Sequence, residues 1–375
     1  MNSVNNEVNY LVHLLACALN EKPCDEYADK INYDNLFDLA KKHQIYNMIY
    51  PLIENNPEIT AEQKAQWHKI KMMETAKMVA VNNERKEIYA LLSQNKIKHM
   101  PLKGLILKNY YPKESMRQMS DNDIMYDPKK RETLFEIMKK RGFKTVATGE
   151  NSDDFVKPPY CTFEFHRDLF FNEKDFCPNF NYVWANASVD GEDKYMYHMS
   201  SEDNYIYSVC HMYKHYSTAG CGIRFLADIY LILKKEGNVL NRDYIDSKLT
   251  EFGILDYEKK SRELALKLFD ERPLDNDDIA LLETYINFGI YGSGKIKLEK
   301  DLKKLSTSEN FKSAKRKYIW KRIFPSAKKM KADYIVLQKK PWLLPAYYIY
   351  RLFKALINKK ETVAELKNIN EIEEK

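Results

Sequence analysis

The first 95 residues carry apolar side chains at the three- and four-residue spacings of amphipathic helices. This spacing predicts a helix over 36–54, which Pro51 ends or kinks. A second helix is predicted over 61–94, because that stretch contains neither proline nor glycine and is followed by Asn95 and Lys96. Residues 1–95 are therefore predicted to form a helical region.

Short alternating runs then replace the helical pattern, as is typical of strands. Strands are predicted over 97–102, 120–127, 143–148 and 160–165. Helices are predicted over 105–111 and 129–140, and the polar, acidic run 149–159 is predicted to be a loop. The helical pattern returns from about residue 201. The sequence thus predicts an α+β protein with a helical region 1–95, a core 96–200 that contains the sheet, and a helical region 201–375.

Composition narrows the class of protein. Glycine accounts for only 11 of 375 residues, which disfavours folds built on many tight turns, and 44% hydrophobic residues exclude a wholly disordered chain. The six cysteines are scattered without a C-x-x-C pair, so the spacing predicts neither a disulfide framework nor a structural zinc site. No run of ~18 uncharged apolar residues is present to span a bilayer. We expect a protein of the reducing cytoplasm.

Two carboxylates lie two residues apart in the predicted strand 120–127. Asp121 and Asp123 would point to the same face, since side chains alternate along a strand. Adjacent carboxylates repel each other, and a divalent cation with oxygen ligands relieves that repulsion. Glu164, in the strand 160–165, is the candidate for a third ligand. These three residues predict a Mg²⁺ site that is open to substrate phosphates.

Short motifs in a fixed order surround these carboxylates. They are Leu102-Lys103-Gly104, Tyr110-Tyr111-Pro112, Arg117, Asp121-Asn122-Asp123, Phe163-Glu164-Phe165-His166, and His211-x-x-x-His215 followed by Arg224 and Asp228. In this order they resemble the family described as uncharacterised nucleotidyltransferases, within the DNA polymerase β-like nucleotidyltransferase superfamily. The resemblance covers most of the chain.

The resemblance implies a small mixed sheet flanked by helices and the transfer of a nucleoside monophosphate from an NTP. It implies that Asp121, Asp123 and Glu164 are catalytic and bind Mg²⁺ or Mn²⁺. The acceptor stays open between a protein side chain, an RNA end, a sugar and a small metabolite. Two alternatives remain: phosphoryl transfer at the same metal site, and a catalytically inactive module that keeps the fold and recruits an anionic partner.

The nucleotide-binding residues implied by the resemblance are Lys103, Gly104 and Arg117. Arg117 would bind phosphate oxygens through two parallel hydrogen bonds of its guanidinium, and Lys103 would bind them through the point charge of its ammonium. The alternative for Arg117 is a surface ion pair with Glu114. The turn Lys103-Gly104 departs from the Gly-Ser that usually opens the motif of the superfamily, and Asn122 stands where a hydrophobic residue is commoner.

A second polar set is predicted on helices, at the spacing of one helix face. His211 and His215 are four residues apart, as are Arg224 and Asp228. The run H-M-Y-K-H lacks the glutamate of H-E-x-x-H, which excludes a metalloprotease motif. We expect these four residues, and His166, to position substrate or support the catalytic residues, with zinc binding by the histidine pair as the alternative.

The segment 312–360 is strongly basic, with 15 Lys and Arg and a single acid, Asp333. Its net charge of +14 leaves −8 for the rest of the chain, although the total is only +6. Three interpretations remain open: a peripheral helix on an anionic membrane surface, a site for a nucleic-acid backbone, and a solvated basic face over a helical core stripe.

A glycine-rich run, Gly289 to Ile296, nearly matches a P-loop. Ile296 replaces the Ser or Thr that would hold Mg²⁺, and the run follows a helix-like stretch, whereas a P-loop follows a strand. The run is therefore predicted to be a helix terminus and a loop.

Overall fold

The computed structural model describes residues 6–24, 30–149, 151–170, 176–289, 298, 302–303, 306, 310–334 and 336–357. Its helices are α1 (Asn6–Asn20), α2 (Tyr33–Lys42), α3 (Tyr46–Ile53), α4 (Ala61–Gln94), α5 (Gly104–Leu107), α6 (Arg131–Lys140), α7 (Val183–Asn186), α8 (Ser201–Thr218), α9 (Arg224–Glu236), α10 (Arg242–Glu251), α11 (Leu255–Phe269), α12 (Asn276–Phe288), α13 (Phe311–Ile323), α14 (Ala327–Asp333), α15 (Val336–Lys339) and α16 (Leu344–Ile357). Its strands are β1 (His99–Pro101), β2 (Asn122–Tyr126), β3 (Lys144–Thr148), β4 (Ser152–Lys157), β5 (Cys161–His166), β6 (Ser188–Val189) and β7 (Tyr197–His198).

Five strands form a mixed sheet in the order β1-β2-β5-β4-β3. The pair β2–β5 is parallel, and the other three pairs are antiparallel. Strands β6 and β7 form a separate two-stranded sheet. With helices before and after this sheet, the α+β prediction is confirmed.

Helix α4 shows how local sequence sets an element that supports the sheet. Thr60 caps its first turn in a reciprocal capping box with Gln63, which satisfies backbone donors that the helix cannot satisfy itself. The helix ends at Asn95, and Lys96 adopts a positive φ of 56°. Ile88 and Leu92 are fully buried in the core that the helix shares with the sheet. The bounds predicted from the sequence are confirmed.

Two large hydrophobic cores surround the site region. One joins the sheet to α4 and α6, and the other joins the early helices α1–α3 to α8, α9 and α11. Helix α1 packs against α11, where the Asn20 amide donates to the carbonyl oxygen of Phe269 over 2.7 Å. The two helical regions of the sequence therefore build one core together.

Within the described residues, no helix combines the length and apolarity needed to cross a bilayer.

The predicted helix 36–54 is wrong as a single element. The chain leaves the helix after α2 and starts again at α3, with Gln44 at a positive φ of 52° between them. Pro51 lies inside α3 rather than at its end. The amides of Gln44 and Ile45 donate to the carbonyl oxygens of Lys41 and Ala40, and this left-handed cap ends α2. The ring of His43, just before the cap, is buried and hydrogen-bonds to the carbonyl oxygen of Ile286, near the end of α12.

The predicted loop 149–159 is also wrong, because its middle forms strand β4. Acidic residues are depleted in strands, so Asp153 and Asp154 favoured a loop. In the fold, Arg131 donates to Asp153 through two nitrogens at 2.9 and 2.7 Å, and Arg167 also contacts it. These distant cations allow a carboxylate to be fully buried within the sheet.

The glycine-rich run Gly289 to Ile296 was predicted to contain a helix terminus, and a helix does end where the run begins. Helix α12 ends at Phe288, and Gly289 has a φ of 68°, which a glycine adopts without strain. Residues 290–296 of that run lie outside the described residues.

Candidate active site

The parallel pairing of β2 with β5 brings the predicted carboxylates together. Asp123 lies directly opposite Glu164 in the register. His166, two residues after Glu164, lies on the same face because side chains alternate along a strand, and Asp121, which immediately precedes β2, lines the same cavity. The β2–β5 pair and the residue before β2 therefore present three carboxylates and one imidazole to one cavity.

Three of these side chains form a tight cluster. One ligand atom from each of Asp123, Glu164 and His166 lies within 4.8 Å of the others. His166 Nε2 is 2.8 Å from Asp123 Oδ1 and 3.6 Å from Glu164 Oε1. Asp121 is not a member of this cluster, although it lines the same cavity. Burial and the charge of Asp123 raise the pKa of Asp121, as expected where carboxylates crowd together.

Lys103 reaches the centre of this cluster. Its Nζ lies 2.6 Å from Asp123 Oδ1. Burial alone would lower the pKa of Lys103, but the negative charges nearby, chiefly Asp123, outweigh it and raise that pKa. Burial alone would likewise raise the pKa of Asp123, and Lys103 with His166 hold it below its usual range. Lys103 and Asp123 are thus an ion pair at neutral pH.

The backbone at Lys103 adopts a conformation that L-residues rarely take. Its φ is 50° and its ψ is −123°, immediately before the first residue of α5. Such a conformation costs of order 1–3 kcal/mol, and it persists only where surrounding structure enforces it. The strained turn sets the start of the lysine side chain above the sheet face.

Gly104 and Arg117 touch so closely that no side chain fits between them. A Cβ at Gly104 would lie 2.6 Å from Arg117 Nη1. The guanidinium is held by Asp228 of α9, with Nε donating to Oδ1 over 2.7 Å and Nη2 to Oδ2 over 2.8 Å. The surface pair of Arg117 with Glu114 is not formed, because Glu114 accepts from Lys108 instead. Arg117 therefore turns only one nitrogen toward Gly104.

His211 and His215 lie side by side on α8. Their Nε2 atoms are 3.2 Å apart, so one ring donates to the other. Burial lowers the pKa of His211, and burial together with the charge of Lys103 lowers the pKa of His215 to about 4. Both imidazoles are neutral at pH 7, and they offer uncharged hydrogen-bonding groups.

All eleven residues that the sequence predicts for the site line one cavity of about 320 Å³. They are Lys103, Gly104, Arg117, Asp121, Asp123, Glu164, His166, His211, His215, Arg224 and Asp228. This volume lies near the lower end of the ~300–1,000 Å³ typical of small-molecule sites. Arg224 also fixes the loop before β2, donating to the carbonyl oxygen of Gln118 over 3.0 Å.

Asp154 belongs to this region and was missed by the sequence reasoning. It pairs with Glu164 in the antiparallel register of β4 with β5, so the two side chains share a face. Burial and the charge of Glu164 raise its pKa to about 6, and its buried Oδ1 has no hydrogen-bond partner within the described structure. Strand alternation would have placed Asp154 on the face of Glu164 and Asp153 on the other face. That inference requires β4 to be recognised as a strand, and the sequence predicted a loop there.

Comparison with known proteins gives one family. The model of a family described as uncharacterised nucleotidyltransferase matches residues 29–270, which is more than half of the chain and includes every residue of the cavity. Neither the curated proteins nor the solved structures that were compared gave a match.

Proposed function

The chain belongs to the uncharacterised nucleotidyltransferase family, and we propose that it transfers a nucleoside monophosphate from an NTP to an acceptor in a Mg²⁺-dependent reaction. The observation that carries this proposal is the convergence of Asp123, Glu164 and His166 within 4.8 Å on one sheet face. The cluster opens into a cavity that also contains Lys103. An anionic cluster beside a cation, in a cavity of nucleotide-compatible size, fits a metal–triphosphate substrate.

The reaction joins an acceptor oxygen to the α-phosphorus of the NTP. The new P–O bond forms as the bond from the α-phosphorus to the bridging oxygen breaks, and pyrophosphate departs with the electron pair of that bond. The acceptor hydroxyl gives its proton to solvent water in the same step. When bound, Mg²⁺ would increase the acidity of the acceptor hydroxyl and neutralise charge on the leaving group.

The donor set fits a hard divalent cation. Asp121, Asp123 and Glu164 offer carboxylate oxygens, which Mg²⁺ prefers and Mn²⁺ accepts. Burial first, and then the charges of neighbouring carboxylates, raise the pKa of Asp121 and of Asp154, as expected where several acids crowd together. We propose Asp121, Asp123 and Glu164 as the ligands. His166 would orient Asp123 through its 2.8 Å contact.

Lys103 would bind phosphate oxygens of the triphosphate. Its ammonium now neutralises Asp123, and it would be free to bind the substrate if Asp123 held a metal ion instead. Arg117 would act chiefly as a positioning residue, since Asp228 occupies two of its nitrogens. The neutral pair His211 and His215, which lines the same cavity from α8, would orient the nucleotide or the acceptor.

The same ion pair also supports a second candidate function. A lysine that neutralises the central carboxylate could take the place of the metal permanently, as in a catalytically inactive module that only binds an anionic partner. The two candidates differ in one property. The enzyme requires a divalent cation for nucleotide binding, and the inactive module does not.

Labelled nucleotides test the proposed reaction. Purified protein with Mg²⁺ and an extract of small molecules, RNA and protein as acceptors should incorporate label from the α-phosphate of one NTP and release pyrophosphate. Label from the γ-phosphate should not be incorporated. Transfer of the γ-phosphate would instead show phosphoryl transfer, and transfer of neither by folded protein would contradict both enzyme hypotheses. Asp123→Asn is the inactive control, and Asp243→Asn, an exposed carboxylate of α10, is the matched active one.

A further inference from the structure

A second group of potential metal ligands lies in the helical region, among residues that do not line the cavity of the candidate active site. One ligand atom from each of His13, Cys17 and Cys24 lies within 4.8 Å of the others. His13 and Cys17 are four residues apart on α1, and Cys24 returns to them after the helix ends at Asn20. The spacing H-x₃-C-x₆-C is not a standard zinc motif, so the sequence did not indicate it.

The distances in this group match those around a tetrahedral metal. Bonds of ~2.3 Å to sulfur and ~2.0 Å to nitrogen place two ligand atoms roughly 3.5 Å apart at the tetrahedral angle. Cys17 Sγ and His13 Nε2 are 3.7 Å apart. Only a small adjustment would bring both atoms onto one ion.

The surroundings orient these groups as ligands. His13 Nδ1 is 2.6 Å from Glu271 Oε1, so the carboxylate fixes the ring and leaves Nε2 directed at Cys17. A carboxylate on the far nitrogen is the usual support of a metal-bound histidine. Tyr10 hydrogen-bonds to Cys24 and so contacts the second sulfur. Cys17 is buried, whereas His13 and Cys24 are partly exposed and give an ion access.

We propose that His13, Cys17 and Cys24, together the thiolate site, bind a zinc-class divalent cation. Two thiolates and one imidazole are the ligands that Zn²⁺ favours over Mg²⁺. Binding would release the two thiol protons to solvent. The ion would tie the segment after α1 to the helix and, through Glu271, to the end of α11.

Cobalt reports thiolate ligation directly. The full-length reduced protein, titrated with CoCl₂, should bind one ion per chain and develop the near-ultraviolet charge-transfer band of a cobalt–thiolate bond, and ZnCl₂ should displace it. Cys17→Ala/Cys24→Ala should lose ion and band. Cys161→Ala/Cys177→Ala, which removes two cysteines elsewhere, should keep both. Glu271 is partly exposed, so Glu271→Gln should fold normally. This variant should weaken cobalt affinity by about tenfold and keep the band.

Three results would overturn the proposal. They are the absence of a charge-transfer band in reduced wild-type protein, a band that persists in Cys17→Ala/Cys24→Ala, and a mass lower by two hydrogens without cobalt binding, which would identify a disulfide between Cys17 and Cys24.

Helix α16, near the C-terminus, turns an apolar face to solvent. Up to residue 353, where the described side chains of this helix end, the exposed residues are Pro345, Ala346, Ile349, Tyr350, Leu352 and Phe353, which form one continuous arc at 100° per residue. Ile349 is 56% exposed and Phe353 62%. The charged Arg351 lies on the opposite side, where it donates to the carbonyl oxygen of Arg322. A helix on a water-facing surface normally has the reverse arrangement.

A second set of exposed apolar side chains lies on α13, which packs against the other side of α16. Tyr348 donates to the carbonyl oxygen of Pro325 over 2.5 Å, and its ring lies 5.9 Å from that of Phe324. This contact places α16 beside the end of α13, where further apolar side chains are exposed. The exposed apolar residues of both helices and the turn before α16, together the C-terminal patch, are Trp320, Ile323, Phe324, Trp342, Ile349, Tyr350, Leu352 and Phe353.

Exposed cations lie on α13, the helix that also carries Trp320 and Ile323 of the C-terminal patch. Lys312, Arg316 and Lys321 of α13 are exposed, and the segment 312–360 carries a net charge of +14. We infer that this patch docks on an anionic phospholipid surface. Aliphatic and aromatic side chains would enter the headgroup boundary while the cations meet lipid phosphates. A nucleic-acid backbone complements the cations but offers little to Ile349, Leu352 and Phe353.

Vesicle flotation tests this inference on the full-length protein. Vesicles of phosphatidylcholine with phosphatidylserine should bind it, in a salt-sensitive manner, and pure phosphatidylcholine should bind it much less. Leu352→Ser/Phe353→Ser should weaken binding by about tenfold or more without a charge change. Met72→Ser/Met73→Ser, an equivalent change of two exposed residues on α4, should leave it unaltered. Lys312→Gln/Arg316→Gln/Lys321→Gln should reduce binding to the anionic vesicles only.

Fluorescence gives a readout that needs no variant in the apolar arc. Trp342 is 73% exposed, so its emission should shift to the blue on anionic vesicles, and the shift should shrink in Trp342→Phe. Failure to bind either vesicle, salt-sensitive binding to RNA alone, or dimers that disappear with Leu352→Ser/Phe353→Ser would each overturn the membrane assignment.

Discussion

Lys103 Nζ lies 2.6 Å from Oδ1 of Asp123, and the two groups neutralise each other at the centre of the candidate active site. The carboxylate is 4% exposed, so its charge depends on partners rather than on water. Lys103 approaches from a strained turn, whereas Asp123 is fixed by two neighbouring strands. We propose that a divalent cation can be exchanged for the Lys103 ammonium at this position.

Replacement of Lys103 by methionine should show this exchange. Without its ammonium, Asp123 is buried beside other acids, and we expect the metal-free protein to lose about 3 kcal/mol of unfolding free energy. Mg²⁺ should restore part of this loss, so the rise in melting temperature with millimolar Mg²⁺ should be larger than in the wild type. Lys248→Met, which breaks a surface pair with Glu251, should cost less than about 1 kcal/mol and show no added Mg²⁺ effect. Identical Mg²⁺ responses in the two variants would contradict the cation site.

The buried pair between Arg117 and Asp228 predicts a large stability change. Asp228→Asn leaves the guanidinium without its counter-charge and weakens the hydrogen bond from Tyr111, which donates to Asp228 over 2.7 Å. We expect a loss of about 3–5 kcal/mol in urea unfolding. Arg117→Met/Asp228→Leu should recover most of it, because it removes both buried charges. A double variant no more stable than the single one would show that the pair does not act as a unit.

Gly104 should not tolerate even a methyl group. Gly104→Ala would place a Cβ 2.6 Å from Arg117 Nη1, and Asp228 prevents the guanidinium from moving freely. We expect a loss of about 1–3 kcal/mol and weaker nucleotide binding. Gly191→Ala is the matched control, since nothing lies within 4 Å of its added Cβ. Equal unfolding curves for the two variants would refute the close packing.

Stability should fall in mild acid because of His43. Burial, with the charge of Lys42, lowers its pKa in the folded protein to about 3, against about 6.5 in an unfolded chain. The unfolded chain therefore takes up the proton first, and stability is lost as the pH falls from about 6.5 toward 3. This histidine alone should remove about 2 kcal/mol between pH 7 and pH 5. In urea titrations at both pH values, His43→Gln should show that much less pH dependence, whereas the exposed His68→Gln should match the wild type.

The sequence predicted those elements whose stability is local. Helix α4 carries its own cap and stop signal, Asp123 and Glu164 lie in the predicted strands β2 and β5, and Asp121 immediately precedes β2. It could not predict β4, because the burial of Asp153 depends on Arg131 from another element. Asp154 was missed for the same reason.

Long-range packing also decided what the predicted site residues contact. Arg117 pairs with Asp228, 111 residues away, rather than with its helical neighbour Glu114. The group of His13, Cys17 and Cys24 depends on a chain reversal after α1 and on Glu271 from the far end of α11. The spacing of residues along the chain therefore does not predict such contacts.

Calorimetry of nucleotide binding tests the central claim most directly. Wild-type protein, titrated with each of the four NTPs with and without Mg²⁺, should bind at least one NTP only when the metal is present. Asp121→Asn/Asp123→Asn should abolish that binding, and Asp243→Asn/Asp277→Asn, which removes two exposed carboxylates, should preserve it. Binding that needs no metal, binding that survives Asp121→Asn/Asp123→Asn, or no binding of any NTP by well-folded protein would contradict the proposed nucleotidyl transfer site.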